Sequence, residues 1–101
     1  MIIKKPTAPT LIEFEDETDR VHKVDAITLE HLYGEAIETA KKLSDGQEPR
    51  TILIYDQFRT KIVEHLGIPV NELSPASVHL IASTMTETIA ALKKTFITTA
   101  S

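Results

Sequence analysis

A chain of 101 residues, 42% hydrophobic and 26% charged, suits one domain with a single core and argues against wholesale disorder. Its formal net charge of -4 at pH 7 gives no general attraction to nucleic acids or anionic lipids. The chain has no cysteine, which excludes disulfides and thiolate chemistry. No stretch is apolar for long enough to form a membrane span or a secretory signal, so we expect a cytoplasmic protein without a membrane partner.

The first nine residues, MIIKKPTAP, contain two prolines. Proline and the residue before it both favour extended backbone, so residues 1–9 are predicted to form an extended arm. The tip of the arm carries Ile2 and Ile3, followed by Lys4 and Lys5. Apolar side chains at such a tip either fold onto the domain's own core or contact a partner, and the sequence leaves both alternatives open.

Residues 10–26 alternate between apolar and polar side chains on both sides of a short polar stretch. Ile12 and Phe14 alternate on the first side, and Val24 alternates with Val21 or His22 on the second. This pattern is typical of a β-hairpin. The connecting residues are strongly acidic, but they include no glycine and do not match a calcium-binding loop. We therefore interpret the acidic stretch as a solvated hairpin turn.

The apolar spacing then changes to that of an amphipathic helix over residues 27–44. Asp25 or Thr28 is the predicted N-cap of this helix. Gly34 weakens a helix interior, which indicates that another element packs closely against it.

A second helix is predicted over residues 50–66, with Pro49 in its first turn. Gly67, followed by an isoleucine and a proline, is the predicted C-terminal cap. The alternative is a strand over residues 51–55, followed by a shorter helix that Asp56 caps.

The third predicted helix covers residues 75–96, with Ser74 as N-cap, Pro75 as its first residue and a regular apolar seam. The predicted fold is mainly α with a small β element (α+β), an N-terminal β-hairpin followed by a three-helix bundle. It forms one domain of residues 10–97, with a frayed tail at residues 98–101. The predicted core takes apolar residues from every element: Phe14, Val24, Leu29, Leu32, Ala36, Ile37, Tyr55, Phe58, Ile62, Leu66, Val78, Ala82, Met85, Ile89 and Leu92.

No pattern in the sequence predicts a catalytic site, a metal site or a cofactor. The four histidines form no metal-binding motif, the serines lack a GxSxG context, and the three glycines are not clustered. The stretch HLGIPVNELSPASVHLIASTM has the outline of a helix-turn-helix, but its second helix offers no Arg, Lys, Asn or Gln to DNA. We therefore expect neither an enzyme nor a nucleic-acid-binding protein, and a function carried by a surface.

Two stretches carry a resemblance to known proteins: FEDETDRVHKVDAITLEHLY and HLGIPVNELSPASVHLIASTMTETIAALKK. Through them residues 12–94 resemble small accessory proteins encoded among tailed-bacteriophage structural genes. The resemblance implies a non-enzymatic role in virion or tail assembly, in the host cytoplasm or in the particle, and it carries over no functional residue. The alternative is a small acidic regulator or inhibitor that presents its hairpin to a basic partner surface.

The predicted partner-binding surface combines the arm with the acidic hairpin. An extended arm can add a strand to an exposed hairpin edge, and its lysines can pair with the acidic residues of an adjacent copy. We therefore predict self-association or docking of a protein partner, the alternative being a monomer whose arm contacts nothing. The predicted residues are Ile2, Ile3, Lys4, Lys5, Glu13, Glu15, Asp16 and Asp19.

Overall fold

The computed structural model describes the backbone of residues 10–100 and the side chains of residues 10–93. Its elements, in chain order, are β1 (Leu11–Glu15), β2 (Val21–Asp25), α1 (Ala26–Leu43), α2 (Thr51–Leu66), a 3-10 turn (Val70–Glu72) and α3 (Pro75–Ala100). The prediction of an N-terminal hairpin followed by three helices is confirmed, and residues 51–55 are helical rather than a strand.

The structure describes the C-terminal helix almost to the end of the chain but not the N-terminal arm. The predicted arm of residues 1–9 lies outside the described residues, as does Ser101. The third helix is longer than the predicted 75–96, and residues 98–100, expected to be a frayed tail, are part of it. No helix in the described part of the chain is long and apolar enough to cross a membrane.

The two strands pair antiparallel, with Ile12 opposite Val24 and Phe14 opposite His22. Ile12 and Val24 are buried, so this face of the hairpin packs on the helices. His22, rather than Val21, therefore alternates with Val24 on the inner face, because successive side chains of a strand point to opposite faces. Val21 is exposed on the outer face.

The hairpin passes into α1 without a linker, through Asp25. Oδ1 of Asp25 accepts a hydrogen bond from the Ile27 N–H (2.9 Å), and its Oδ2 accepts one from Oγ1 of Thr10 (2.6 Å). Asp25 is therefore both the last residue of β2 and the N-cap of α1, so of the two predicted caps Asp25 is the correct one.

Gly34 lies on an exposed face, and a Cβ placed there would meet nothing within 4 Å. The prediction of close packing at Gly34 is therefore wrong.

The second helix begins later than predicted but ends as predicted. Its N-cap is Arg50, without a side-chain capping bond, so Pro49 precedes the helix instead of occupying its first turn. At the C-terminus Gly67 has a φ of 71°, and the Ile68 N–H donates to the Val63 carbonyl (3.1 Å). This left-handed termination needs the freedom of glycine.

The start of the third helix is confirmed. Oγ of Ser74 accepts a hydrogen bond from the Ser77 N–H (3.2 Å), and the helix begins at Pro75. Proline suits this position because its missing N–H would have no partner within the helix.

The core lies where the three helices meet the inner face of the hairpin. Eight predicted core residues are buried: Val24, Leu29, Ala36, Phe58, Ile62, Val78, Ala82 and Met85. Seven are only half-buried: Phe14, Leu32, Ile37, Tyr55, Leu66, Ile89 and Leu92. Six buried apolar residues were not predicted: Ile12, Ala26, Ala40, Val63, Leu73 and Ile81.

Candidate functional site

The hairpin turn is organised around the side chain of Asp16. Oδ1 of Asp16 accepts hydrogen bonds from the Thr18 N–H (2.8 Å), the Thr18 hydroxyl (2.7 Å) and the Arg20 N–H (3.0 Å). Oδ2 of Asp16 lies 2.8 Å from Nε2 of His22, which donates to it. Only 5% of Asp16 is exposed. Asp16 was predicted to face a partner from a solvated turn, but its carboxylate is turned inward and holds the turn together.

These hydrogen bonds hold the pKa of Asp16 well below its usual range. The largest contribution comes from the Thr18 hydroxyl and the next from His22, followed by the backbone N–H groups of Arg20 and Thr18, while burial opposes them. An acid whose pKa falls on folding stabilises the folded state above its unfolded pKa of about 3.9. That contribution is lost as the pH falls from there towards the depressed pKa of the folded state.

Asp16→Asn is therefore expected to reduce the free energy of unfolding at neutral pH. The difference from the wild type should shrink in urea melts below about pH 4, where the unfolded carboxyl group takes up its proton. Thr18→Val is the matched variant, because it removes the hydroxyl donor and keeps the backbone donor. It should raise the pKa of Asp16 in an NMR titration. A stability difference that stays constant from neutral pH down to about pH 3 would contradict the assignment.

The turn of the hairpin is fastened to the connection between α2 and α3. The Glu17 N–H donates to the Glu72 carbonyl in the 3-10 turn (2.7 Å). The same connection is held by Arg59, whose Nε donates to the Leu73 carbonyl (2.6 Å) and whose Nη2 donates to the Val70 carbonyl (2.9 Å). The hairpin is thus fixed to the helices at its turn as well as through Asp25.

The outer edge of β1 carries backbone groups that the hairpin does not use. The Asp16 N–H donates to the Arg20 carbonyl, and the Ala26 N–H donates to the Thr10 carbonyl. The hydrogen-bonded pairs of this ladder therefore fall at the even-numbered residues of β1, since such pairs alternate in antiparallel sheets. The N–H and C=O groups of Leu11, Glu13 and Glu15 point away from β2. In residues 10–100 the sheet has two strands, so no third strand pairs with this edge.

A groove of about 600 Å³ runs between this edge and α3. One wall is formed by residues 12–15 of β1 with Val21, and the other by Ser77, Leu80, Ile81 and Thr84. The four α3 residues lie at positions i, i+3, i+4 and i+7, which places them on one face of the helix. Leu80 is 69% exposed, so most of its apolar side chain is open to a ligand in the groove.

The charge along the groove is negative on the side of β1. Glu13 and Glu15 line it, and Glu13 has one basic neighbour across the ladder, Lys23, at 4.0 Å. Both side chains of this ion pair are 63% exposed, so the attraction between them is weak and screened by salt. The α3 wall contributes only uncharged side chains. The groove therefore combines backbone hydrogen-bonding groups, two carboxylates and a helix face on which Leu80 and Ile81 lie between the hydroxyl side chains of Ser77 and Thr84.

The structure brings together only part of the predicted partner-binding set. Glu13 and Glu15 line the groove, whereas Asp19 lies exposed on the turn with a φ of 63° and Asp16 is internal to that turn. The arm residues Ile2, Ile3, Lys4 and Lys5 lie outside the described residues.

Leu80 was missed by the sequence analysis. The available signal was the run VHLIA, where two apolar residues, Leu80 and Ile81, stand outside the predicted seam of the third helix.

Two of the four histidines pack against aromatic rings in the described chain. His22 packs against the ring of Phe14 and His79 against that of Tyr55, with ring centroids 5.6 Å and 4.4 Å apart. Burial raises the pKa of Tyr33, and the neighbouring Tyr55 adds to the shift, as expected for a hydroxyl at the edge of a core.

Among the described residues, the groove is the candidate site because it brings the free backbone groups of β1 beside the exposed side chain of Leu80. Within residues 10–93, no group of three or more His, Asp or Glu side chains is placed to hold a metal ion. No protein-family model matches the chain, and no curated protein or solved structure is detectably similar to it.

Proposed function

We propose that this protein is a non-enzymatic interaction module that binds an extended segment of a partner protein in the groove between β1 and α3. The observation that carries the proposal is the free edge of β1 beside the exposed side chain of Leu80. An extended segment can add to such an edge through main-chain hydrogen bonds, while its alternate side chains enter the neighbouring pocket.

The chemistry of the groove defines the segment that fits it. Side chains on one face of an added strand would meet the exposed Leu80, which favours branched apolar residues. Side chains on the opposite face would lie beside Glu13 and Glu15, which favours lysine or arginine. The partner segment is therefore an extended stretch with apolar residues on one face and basic residues on the other.

The setting that we propose is the assembly of a tailed-bacteriophage virion or tail. The support is the resemblance of residues 12–94 to phage accessory proteins, together with a groove suited to joining one chain to another. In this role the protein acts as an oligomer or as one subunit of a larger complex, in the host cytoplasm or in the particle.

A second candidate function is a regulator or inhibitor that binds a basic surface through its hairpin. The exposure of Glu13, Glu15, Glu17 and Asp19 on one hairpin favours it. The salt dependence of partner binding separates the two functions. The affinity of a partner bound through exposed carboxylates falls steeply as the ionic strength rises. The affinity of a strand that is added to β1 and packs on Leu80 falls less.

The proposed docking edge is tested with Glu13→Pro. The N–H of Glu13 points out of the hairpin, so proline removes a group that the docked strand needs and spares the β1–β2 ladder. Probes are short peptides selected from a random library on the wild-type protein. Glu13→Pro should raise their dissociation constant about tenfold relative to Glu13→Gln, which removes the charge alone.

Lys23→Pro is the matched control, because Lys23 is the ladder partner of Glu13 and its N–H points out of the opposite edge. It should leave peptide binding unchanged, and circular dichroism should show that each variant is folded. Equal weakening by Glu13→Pro and Lys23→Pro would overturn the proposed docking edge. The proposal would also be overturned if no selected peptide bound the wild type more tightly than it bound Glu13→Pro.

A further inference from the structure

We infer that Glu13 and Glu15 determine the specificity of the groove by keeping the β1 edge of one copy from pairing with the β1 edge of another. This exclusion rests on the proposed function, in which the same two carboxylates attract a basic segment. It deepens that function by naming the competitor that the groove rejects, since a second copy of this chain presents an identical free edge.

The β1 edge has little protection against strand pairing apart from its charges. Its outward backbone groups face away from β2, and the sheet has two strands in residues 10–100. The strand contains no proline, and it pairs with β2 residue for residue without a bulge. Leu11 is 54% exposed at the start of β1. Prolines, bulges, covering elements and charged side chains are the usual protection of such an edge, and along residues 11–15 only the charged side chains are present.

Pairing of two β1 edges would bring these carboxylates together. Identical strands related by a two-fold axis in the same sheet run antiparallel, and the outward groups of β1 belong to its odd-numbered residues. In the register that pairs the whole strand, Glu13 lies opposite Glu13 of the second copy, and Glu15 lies opposite Leu11. A shift of two residues towards the C-terminus places Glu13 opposite Glu15 twice. The reverse shift leaves Phe14 and Glu15 opposite residues that precede β1.

The neighbouring charges reduce this repulsion without cancelling it. Lys23 lies across the ladder from Glu13, with the charged atoms 4.0 Å apart, but the residue opposite Glu15 is Val21. Asp25 ends β2 on the same outer face, so three carboxylates stand against one ammonium group on the outer face of β1 and β2. The residues of α3 that line the groove are uncharged.

The same two side chains therefore act in opposite directions on two ligands of similar backbone chemistry. Like charges placed directly opposite each other destabilise a sheet, whereas opposite charges stabilise it. A basic extended segment and a second β1 strand can both use the outward N–H and C=O groups, and the carboxylates separate the two. Specificity of this kind comes from repulsion of the wrong partner as well as attraction of the right one.

The test compares two double variants that have the same net charge. Glu13→Gln with Glu15→Gln removes the repulsion and keeps the outward N–H of residue 13. Glu13→Pro with Glu15→Gln removes both the repulsion and that N–H. In light scattering at rising protein concentration, the first variant should reach twice the chain mass. The wild type and the proline variant should keep the single-chain mass.

The matched control is Glu30→Gln with Glu35→Gln, which removes the same charge from exposed positions on α1. It should keep the single-chain mass, because these residues lie outside the lining of the groove. Circular dichroism should show that each variant is folded.

Charge reversal gives a second test that does not depend on the folding of a proline variant. Glu13→Lys with Glu15→Lys again places like charges on the edge, so this variant alone should keep the single-chain mass. Mixed in equal amounts with the wild type, it should form a pair of twice the chain mass, because lysines then face carboxylates. The pair should weaken as the ionic strength rises. A mixture of the wild type with Glu30→Lys and Glu35→Lys in one chain should stay at the single-chain mass.

Three results would refute the exclusion of a second copy. One is a single-chain mass for Glu13→Gln with Glu15→Gln at every concentration. Another is equal association of the glutamine and proline double variants, which would place the contact elsewhere. The third is association of the wild type that Glu13→Pro abolishes, because β1 would then pair despite its carboxylates. If library peptides still bind the wild type and weaken on Glu13→Pro, the proposed function stands and only the exclusion is wrong.

Discussion

Phe58→Ala is expected to lower the free energy of unfolding by about 3–5 kcal/mol, the usual effect of truncating a buried aromatic residue. Phe58 is fully buried in α2, and the ring of Tyr33 on α1 meets it edge-on with centroids 5.1 Å apart. The substitution removes this contact and leaves a cavity between the two helices. A domain of this size is stabilised by about 5–15 kcal/mol, so the loss is a large fraction of the total.

Urea denaturation followed by circular dichroism measures this effect. Ile52→Ala is the control on the same helix, and it should change stability by less than about 0.5 kcal/mol because Ile52 is exposed. If Phe58→Ala does not fold, Phe58→Leu gives a smaller cavity and should still destabilise more than Ile52→Ala. Similar midpoints for Phe58→Leu and Ile52→Ala would contradict the position of Phe58 in the core.

Leu73→Ala is expected to lower the free energy of unfolding by about 2–5 kcal/mol. Leu73 follows the 3-10 turn and is fully buried, although it belongs to the connection between two helices. Its carbonyl accepts the hydrogen bond from Nε of Arg59, and the neighbouring Glu72 holds the hairpin turn through the Glu17 N–H. Loss of the Leu73 side chain should therefore loosen the hairpin turn as well as the core.

Two measurements separate these consequences. Thermal or urea melts give the global stability, and hydrogen exchange at the Glu17 amide reports on the turn. Val70→Ala is the control, since Val70 lies in the same 3-10 turn with an exposed side chain. Leu73→Ala should accelerate exchange at Glu17 and Val70→Ala should not. Unchanged exchange in Leu73→Ala would show that the connection does not position the hairpin.

The fold could be predicted because the local signals agreed with one another. The change from alternating to helical spacing after Asp25, the Ser74–Pro75 start and the Gly67 termination each follow from backbone preferences that act over a few residues. The stretch TILIY was ambiguous because branched apolar residues suit both a strand and a buried helix. It is helical as part of the longer periodic segment 51–66.

The buried set could be predicted only in part, because burial depends on neighbours that are distant in sequence. Ile12 faces the core while Phe14 is half-buried, although alternation places both on the same face. Leu73 carries no periodic signal, since it follows a three-residue turn. Leu32, which we expected to be a core residue, is half-buried, so its truncation should destabilise less than that of Phe58.

The candidate site could be predicted less well than the fold. Glu13 and Glu15 were recognised as part of an acidic hairpin, but their place beside α3 depends on how the hairpin sits on the helices. Asp16 was grouped with them because it is also acidic and lies in the same stretch of the sequence. Its inward orientation arises from hydrogen-bond donors at residues 18, 20 and 22, which only the folded turn brings together.

The anchoring of the hairpin at both ends has a consequence for the thermodynamics of association. An isolated two-stranded hairpin is marginally stable, and a partner that bound it would have to order it first. Here Asp25 joins one end directly to α1, and the Glu17–Glu72 hydrogen bond holds the other. The receiving edge is therefore preorganised, and the conformational entropy lost on binding falls on the incoming segment alone. Proline substitutions in the incoming segment, at positions whose N–H points away from the β1 edge, should then tighten binding, whereas further stiffening of the hairpin should change affinity little.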